Sequence, residues 1–583
     1  MKQAITILCA LLLFNICKAQ DVVGLIYPVD PAQQAHPDIP KGEVLKFDFN
    51  TSAIYPGTKR SYWVYIPAEY KPDKPACLYV DMDGVQFNAP TVFDYLISKG
   101  EMPVTIGVFV SSGSVMKNDT DAIRYNRSHE FDSMNNDFVN FLITELLSDV
   151  EKKKSSDGRV INISKDANDH AIAGASSGAI CAFTAAWQRP DMFSRVYSAI
   201  GTYVGMRGGN DYPVLIRKTE PKPIRIFLQD GLNDAWNPLF SNWYTSNLNM
   251  EAALSFAGYE VNHAWGNGGH DGVQATAIFP DAMRWLWKGW PQKVLGGKSN
   301  NDMLPTILPE GEIWQRFDEQ EDHAISISNG PGGELFVLGN PGWIEKIDKN
   351  GKVIEVIKHG VEAMASDLNG KLDFIGEGGA GLFTLSPSSK PYVVSKNIHG
   401  DHLVVADNGY IYVSQPSTNT NSSGKIWLIK PGAKPIAVDS GLRFASAITI
   451  SPDRSMLLVA EDNTNWIYNY VINADGSLKF KERWYWLHQT DNFGYSQVGS
   501  IEMDNQGNLY AATNLGVQVC DQNGRVRAIL QIPGGPVTGL CFGGANFDTL
   551  YVICNGKLYK RKLKVNGVPA WAEPVHPKET GAG

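Results

Sequence analysis

Between about residues 41 and 292, short apolar runs alternate with stretches of helical periodicity. Ser61-Tyr-Trp-Val-Tyr-Ile66 reads as a strand that stops at Pro67, and Ala76-Cys-Leu-Tyr-Val80 as a buried strand running into Asp81-Met-Asp-Gly84. Residues 103–110, 171–173, 196–200, 223–228 and 259–265 have the same strand-like character. Phe138, Phe141, Leu142, Leu146 and Val150 recur at the spacing of one helical face across residues 136–150. Strands alternating with helices predict a mainly parallel sheet, with ligands gathered at the carboxyl ends of its strands.

Residues 293–302 are polar and Gly-rich, as a linker would be. Beyond them the pattern changes to short strands separated by turns. A unit of about 40 residues recurs, with equivalent strands at 334–338, 371–375, 410–414, 456–460, 508–512 and 549–553. Most follow a polar turn such as Asn369-Gly370, Asn408-Gly409, Pro452-Asp453 or Gln506-Gly507, and second strands follow at 343–347, 381–385, 425–429 and 557–559. Six such units predict a six-bladed β-propeller. The expected division is a leader at 1–19, an α/β domain at 20–292, a linker at 293–312, a propeller at 313–565 and a tail at 566–583.

Composition sharpens this in three ways. A chain of 583 residues is too long for one core, so more than one domain is required. A net charge of −9 weighs against a nucleic-acid partner, whose phosphates call for basic clusters. Lys2, the apolar run 4–16 and the small-residue exit before Gln20 read as a secretory signal too short to span a bilayer, so the mature protein is expected to be exported. No later apolar run is long enough for a membrane helix. Cys77, Cys181, Cys520, Cys541 and Cys554 are too scattered for a disulfide framework, and Cys77 and Cys181 lie within apolar segments, as buried small hydrophobes do. The 11% aromatic content suits a glycan-facing surface and a β-rich core equally well.

The chemistry is concentrated in three loops. Gly174-Ala-Ser-Ser-Gly178 is a G-x-S-x-G pentapeptide between an apolar strand and a helix-compatible run, the pattern of a strained turn that lifts Ser176 to the sheet edge. The same turn sets the Ser177 amide at a helix N-terminus, where an oxyanion is stabilised. The second loop is Gln229-Asp-Gly-Leu-Asn-Asp234, and the third is Gly268-Gly-His270-Asp271. The order Ser, Asp, His is that of an α/β-hydrolase triad. His270 is the candidate base for Ser176, and His263, on an expected strand, the weaker one. Spacing leaves Asp230 and Asp234 both open as the carboxylate that fixes the imidazole tautomer. Tyr203, Arg207, residues 208–212, Trp236 and Trp243 fall near this edge as candidate substrate contacts. Glu130 and Asp132 are expected in a network with Arg124 or Arg127.

Residues 40–292 resemble the esterase D, enterochelin-esterase and feruloyl-esterase group of α/β-hydrolases. The resemblance is carried by Arg60-Ser-Tyr-Trp-Val-Tyr-Ile-Pro67, Asp83-Gly84, residues 124–132, Gly231-Leu-Asn-Asp234 and Gly268-Gly-His270-Asp271. It implies Ser176 as nucleophile, Asp234 as orienter and His270 as base. It also implies a second oxyanion amide from Val85, with Gln86 as the alternative. This chain has Asp83 where many relatives have histidine.

Residues 315–562 resemble the SMP-30/gluconolactonase/luciferin-regenerating propellers, through Ile448-Thr-Ile-Ser-Pro-Asp-Arg-Ser-Met-Leu-Leu-Val-Ala-Glu461. That family holds one divalent metal on the propeller axis with a glutamate, two asparagines and an aspartate. Here Ser446 and Gly499 stand at two of those positions, and Asp401-His402 at a third. The resemblance therefore implies the fold but neither lactonase activity nor a metal.

The expectation is an exported serine esterase without a cofactor. Its substrate is expected to be a small-molecule or glycan ester, acetyl or feruloyl, on plant-type polysaccharide. The propeller would be accessory, shaping the cleft or binding glycan. The alternatives are a propeller lactonase, a non-catalytic glycan-binding protein and a catecholate siderophore esterase.

Overall fold

Ten strands of the N-terminal half form one sheet in a computed structural model. The structure describes residues 29–578 apart from 119, 318–322, 341, 349, 380, 387–389, 397, 418–422 and 491–493. The expected leader at 1–19 lies outside the described residues.

The first strands are β1 (Glu43–Phe49), β2 (Thr58–Ile66), β3 (Cys77–Met82), β4 (Thr105–Val110), β5 (Ser114–Met116) and β6 (Ala122–Tyr125). They are followed by β7 (His170–Ala175), β8 (Arg195–Ala199), β9 (Arg225–Gly231), the hairpin β10 (Trp236–Asn237) and β11 (Ser241–Asn242), and β12 (Glu260–Gly266). The sheet order is β12-β9-β8-β7-β3-β4-β2-β5-β6, with β1 also on β2. The six strands from β12 to β4 are parallel, and β2 turns the sheet antiparallel. β3, β4 and β8 are buried throughout, which is why they read as largely apolar runs without alternation.

Helices cover both faces. α1 (Ala89–Ser98) and α8 (Val273–Leu286) pack Val92, Phe93, Phe279 and Met283 on one side. α5 (Ser177–Gln188) and α7 (Trp243–Phe256) pack Ile180, Phe183, Met250 and Leu254 on the other. Between them in the chain come α2 (Arg127–Phe131), α3 (Asp137–Asn140), α4 (Leu147–Val150) and α6 (Tyr212–Lys218). The helix expected over 136–150 buries the five predicted residues, but a wide π-type turn at Phe141–Leu146 joins α3 to α4.

The second half is a ring of six four-stranded antiparallel sheets. All six repeated strands read from the sequence are present, each as the second strand of its blade. The first strands, Ala324–Asn329, Val361–Ser366, His402–Val405, Ala445–Ile450, Ile501–Met503 and Val537–Gly543, neighbour one another around the axis. The sixth blade is closed from outside its own repeat: Gln315–Arg316 pairs antiparallel with Lys557–Lys562, opposite Lys560 and Tyr559.

The stretch read as a linker is strapped down. The Asn300 amide donates to Phe256 O, Asn301 Nδ2 donates to the Arg217 and Arg527 carbonyls, and Leu304 and Ile307 are buried among propeller residues. Tyr212 and Leu215 of the α/β domain share one hydrophobic cluster with Ile501 and Ile529 of the propeller. Among the described residues no helix is long and apolar enough to cross a membrane, and the five cysteines outside the leader are buried and free.

Candidate active site

The chain turns sharply from β7 into α5, and Ser176 takes φ 59° and ψ −121° at that corner. The turn is possible because Gly174 has no side chain: a Cβ there would lie 2.3 Å from the Gly178 carbonyl carbon. The strained backbone is pinned by Ser176 N donating to Ala199 O at 2.9 Å and Thr202 N donating to Ser176 O at 3.3 Å. Ser177 therefore opens α5, with its amide in the unpaired first turn.

The acid loop leaves β9 and the histidine loop leaves β12, neighbouring strands in the sheet. They approach so closely at Gly231 that a Cβ there would lie 2.2 Å from Gly268 O. This contact brings three residues from distant points of the chain into line. Ser176 Oγ lies 2.8 Å from His270 Nε2, and His270 Nδ1 lies 2.5 Å from Asp234 Oδ1. Asp234 is fully buried on its side chain, whereas His270 keeps 30% of its own exposed.

The two carboxyls of the acid loop differ. Burial raises Asp234, but the hydrogen bond to His270, the neighbouring Asp230 and the Ala235 amide together hold it below the usual range. Burial, then Asp234 itself, pushes Asp230 up to about 9. Asp230 thus keeps its proton at neutral pH beside an ionised Asp234. Its oxygens accept from the Gly231 amide at 2.6 Å and from Asn247 Nδ2 at 2.7 Å. An ionised Asp234 on Nδ1 directs the imidazole proton there and leaves Nε2 free to accept the Ser176 proton.

Thr202 and Asn247 were not legible as parts of this site, and Trp243, read from the sequence as a substrate contact, packs against the triad instead. Thr202 Oγ1 lies 3.2 Å from Ser176 Oγ and accepts from Trp243 Nε1 at 3.2 Å. The Trp243 ring meets His270 edge-on at 5.7 Å. Asn247, one turn along α7, joins Asp230 to the Gly201 carbonyl. Only position after a parallel strand, three residues beyond β8, could have flagged Thr202.

Other candidates separate clearly. Tyr203 is 1% exposed and its hydroxyl pairs with Ser198 Oγ at 2.9 Å, so it is a core residue and cannot reach a substrate. Trp243, at 6% exposed, is buried against the triad. Trp236 is 69% exposed on the β10–β11 hairpin, and Arg207 lies on the surface with Nε on Ser128 Oγ at 3.3 Å. His263 stacks on Trp265 and pairs with Glu251, away from Ser176. Val85 follows Asp83 and Gly84, both at positive φ, at the end of β3, and Gln86 folds its side chain back onto Met82 O. Glu130 pairs directly with Arg60 in a fully buried bidentate contact at 2.8 and 3.0 Å, and Asn126 links it to Arg124 by donating to Glu130 Oε1 and accepting from Arg124 Nε. Asp132 lies by the Ser128 and Ser177 hydroxyls, and burial raises its carboxyl despite the nearby Arg127 and Arg207.

On the propeller axis, Asp401, Ser446 and Gly499 line one cavity of about 350 Å³ together with His402, Asp462 and Thr538. The matched positions, Asp401, Ser446 and Gly499, do not reproduce the ligand set that the resemblance implies. A Cβ on Gly499 would lie 2.0 Å from Thr538 O, so no carboxylate can stand there. Burial and the neighbouring Glu362 and Asp462 raise the Asp401 carboxyl. Burial lowers His402 to about 4. Among the described residues no group of three or more His, Cys, Asp or Glu side chains is placed to hold a metal ion.

Comparison with known proteins follows the same division. Residues 53–204 match the esterase family model, and residues 379–555 match the model of the SMP-30/Gluconolactonase/LRE-like region. A gluconolactonase from Zymomonas mobilis is 21% identical over 180 residues, 28% of this chain and 50% of that protein, so the chain spans about half the length of this curated relative. A solved enterobactin esterase from Shigella flexneri is 23% identical with a TM-score of 0.34, over 45% of this chain and 63% of the other. A solved ferulic acid esterase is 19% identical with a TM-score of 0.32, over 42% of this chain and 99% of the other. The chain thus joins an esterase-family domain of α/β-hydrolase fold to a gluconolactonase-like six-bladed propeller.

Proposed function

We propose that this chain is an exported serine carboxylesterase whose catalytic residues are Ser176, His270 and Asp234. The observation that carries the reading is the unbroken line from Ser176 Oγ through His270 to a buried Asp234, within the esterase-family domain. Ser176 attacks the ester carbonyl while His270 Nε2 takes its proton, and the carbonyl oxygen becomes an oxyanion on the Ser177 and Val85 amides. Collapse expels the alcohol, protonated by His270, and leaves an acyl group on Ser176. His270 then deprotonates a water that attacks this acyl-enzyme, and the carboxylic acid departs. Asp234 holds the imidazolium throughout.

The substrates are acetyl or feruloyl esters on plant-type polysaccharides or oligosaccharides. Exposed Leu232, Trp236, Leu239 and Val273, on the acid and histidine loops, support a flat or apolar acyl group at the cleft rim. Export rests on the leader pattern of the first residues. The propeller is accessory.

Turnover of a chromogenic aryl acetate by the full chain, with and without a chelator, tests the reading. Ser176→Ala is expected to lower kcat by ~10⁴ or more without changing the fold, and the chelator to leave the parent unaffected. Turnover that survives Ser176→Ala refutes the assignment. A second reading, a propeller lactonase, is favoured by the family match over residues 379–555 and the axial cavity. It requires chelator-sensitive turnover of a sugar lactone that is indifferent to Ser176→Ala. A screen of acetylated, feruloylated and catecholate esters then separates the acyl groups.

A further inference from the structure

Arg127, at the start of α2, donates two hydrogen bonds to the Asp83 carboxylate, Nε to Oδ1 at 2.8 Å and Nη2 to Oδ2 at 2.7 Å. Asp83 stands at φ 63° in the loop that leads to Val85. A Cβ built on Gly178, in the first turn of α5, would lie 3.4 Å from Asp83 Oδ2. The carboxylate therefore presses against the helix end that carries the Ser177 amide. Asp132 lies by the Ser177 hydroxyl, and Arg127 reaches its charge as well. An aspartate at this position creates a difficulty. Acyl transfer gathers negative charge on the substrate oxygen at the Ser177 and Val85 amides. A bare carboxylate within a few ångströms opposes that charge, and partial burial strengthens the repulsion. The Arg127 and Asp83 side chains keep 40% and 23% exposure, and an ion pair so exposed contributes little to folding. Its place beside the oxyanion loop is accounted for by charge at the site.

We propose that Arg127 is a charge-balancing residue of the oxyanion loop: its guanidinium cancels the Asp83 carboxylate that would otherwise repel the oxyanion. This deepens the serine esterase reading and rests on it. Arg127→Gln, Arg127→Lys and the double variant Asp83→Asn/Arg127→Gln, each checked by its thermal transition, are compared with the parent on a chromogenic aryl acetate. Arg127→Gln is expected to lower kcat about tenfold or more with KM little changed, because the unmasked charge meets the oxyanion only in the transition state. Arg127→Lys keeps the charge and loses the fork, so it retains more turnover than the glutamine variant. The double variant removes both charges and returns to within about threefold of the parent. A purely structural brace gives the opposite, since the double variant lacks the fork as well. A double variant no faster than Arg127→Gln overturns the proposal. Should Arg127→Gln fail to fold, the double variant decides alone, and a rate about tenfold or more below the parent overturns it. Parent turnover that survives Ser176→Ala is a separate result: it refutes the esterase reading, and the proposal falls with it.

Discussion

Asp230 and Asp234 are one helical turn apart in sequence, yet they end with opposite proton occupancy. Asp234 touches His270 and is ionised, and Asp230 behind it is raised to about 9 by burial and by Asp234. Asp234→Asn is therefore expected to lower kcat by ~10⁴, through loss of the correct imidazole tautomer. Asp230→Asn, which keeps a donor toward Asp234, is expected to cost about tenfold or less. The same pair fixes a pH dependence of stability. Because the native state holds a proton that the unfolded chain releases near 3.8, the contribution of Asp230 is fully present below that value. It is lost as pH rises and is gone above about 9. Melting temperatures across that window should fall less steeply for Asp230→Asn than for the parent. An equal slope in both would place the titration elsewhere. The spacing of the two aspartates could not choose between them, because the choice depends on how the loop turns at Gly231 to meet Gly268. Ser176 and His270 were legible because glycines, chain order and strand ends all constrain them. Tyr203 misled because a residue just past a parallel strand can point into the core as easily as into the cleft.

At the scale of elements, legibility follows burial. The second strand of each blade is buried along most of its length and so reads as a largely apolar run, whereas the inner strands mix apolar residues with polar ones. The π-type turn within 137–150 leaves the apolar spacing intact and so gave no signal. Gln315–Arg316 was illegible, since a two-residue strand has no period. One of the ligand positions that the resemblance implies is closed for a reason visible in the blades: the inner strand at Val537–Gly543 runs so close to Gly499 that only glycine fits. Full-length Ser176→Ala protein titrated with calcium in a calorimeter is accordingly expected to show at most weak binding. A submicromolar site lost on Asp401→Ala would mean that other oxygens have assembled a metal centre there.

Across the whole molecule, the α/β domain and the propeller meet through α6 and its continuation. Glu220 forms a bidentate pair with Arg561 at 2.5 and 2.8 Å, and Thr219 runs alongside Ile529. Lys218 Nζ lies 2.5 Å from His488 Nε2, a contact that requires an unprotonated imidazole. Burial, then the Lys218 charge, lowers His488 to about 4. The unfolded chain takes up this proton near 6.5, so the contribution of His488 is present above that pH and is lost as pH falls toward 4. His488→Gln should flatten the fall of the melting temperature over that acid window. A parent and variant with parallel profiles would show that the domain contact does not titrate there. The strap between the domains ends in Gln315–Arg316, the short strand that completes the sixth blade. One piece of chain is thus both the hanger of the esterase domain and the clasp of the ring. A pull that swings the domains apart loads that strap from its Asn301 end, and the clasp opens only after Leu304 and Ile307 have left the propeller, so the buried helix shields the ring from tension on the esterase domain.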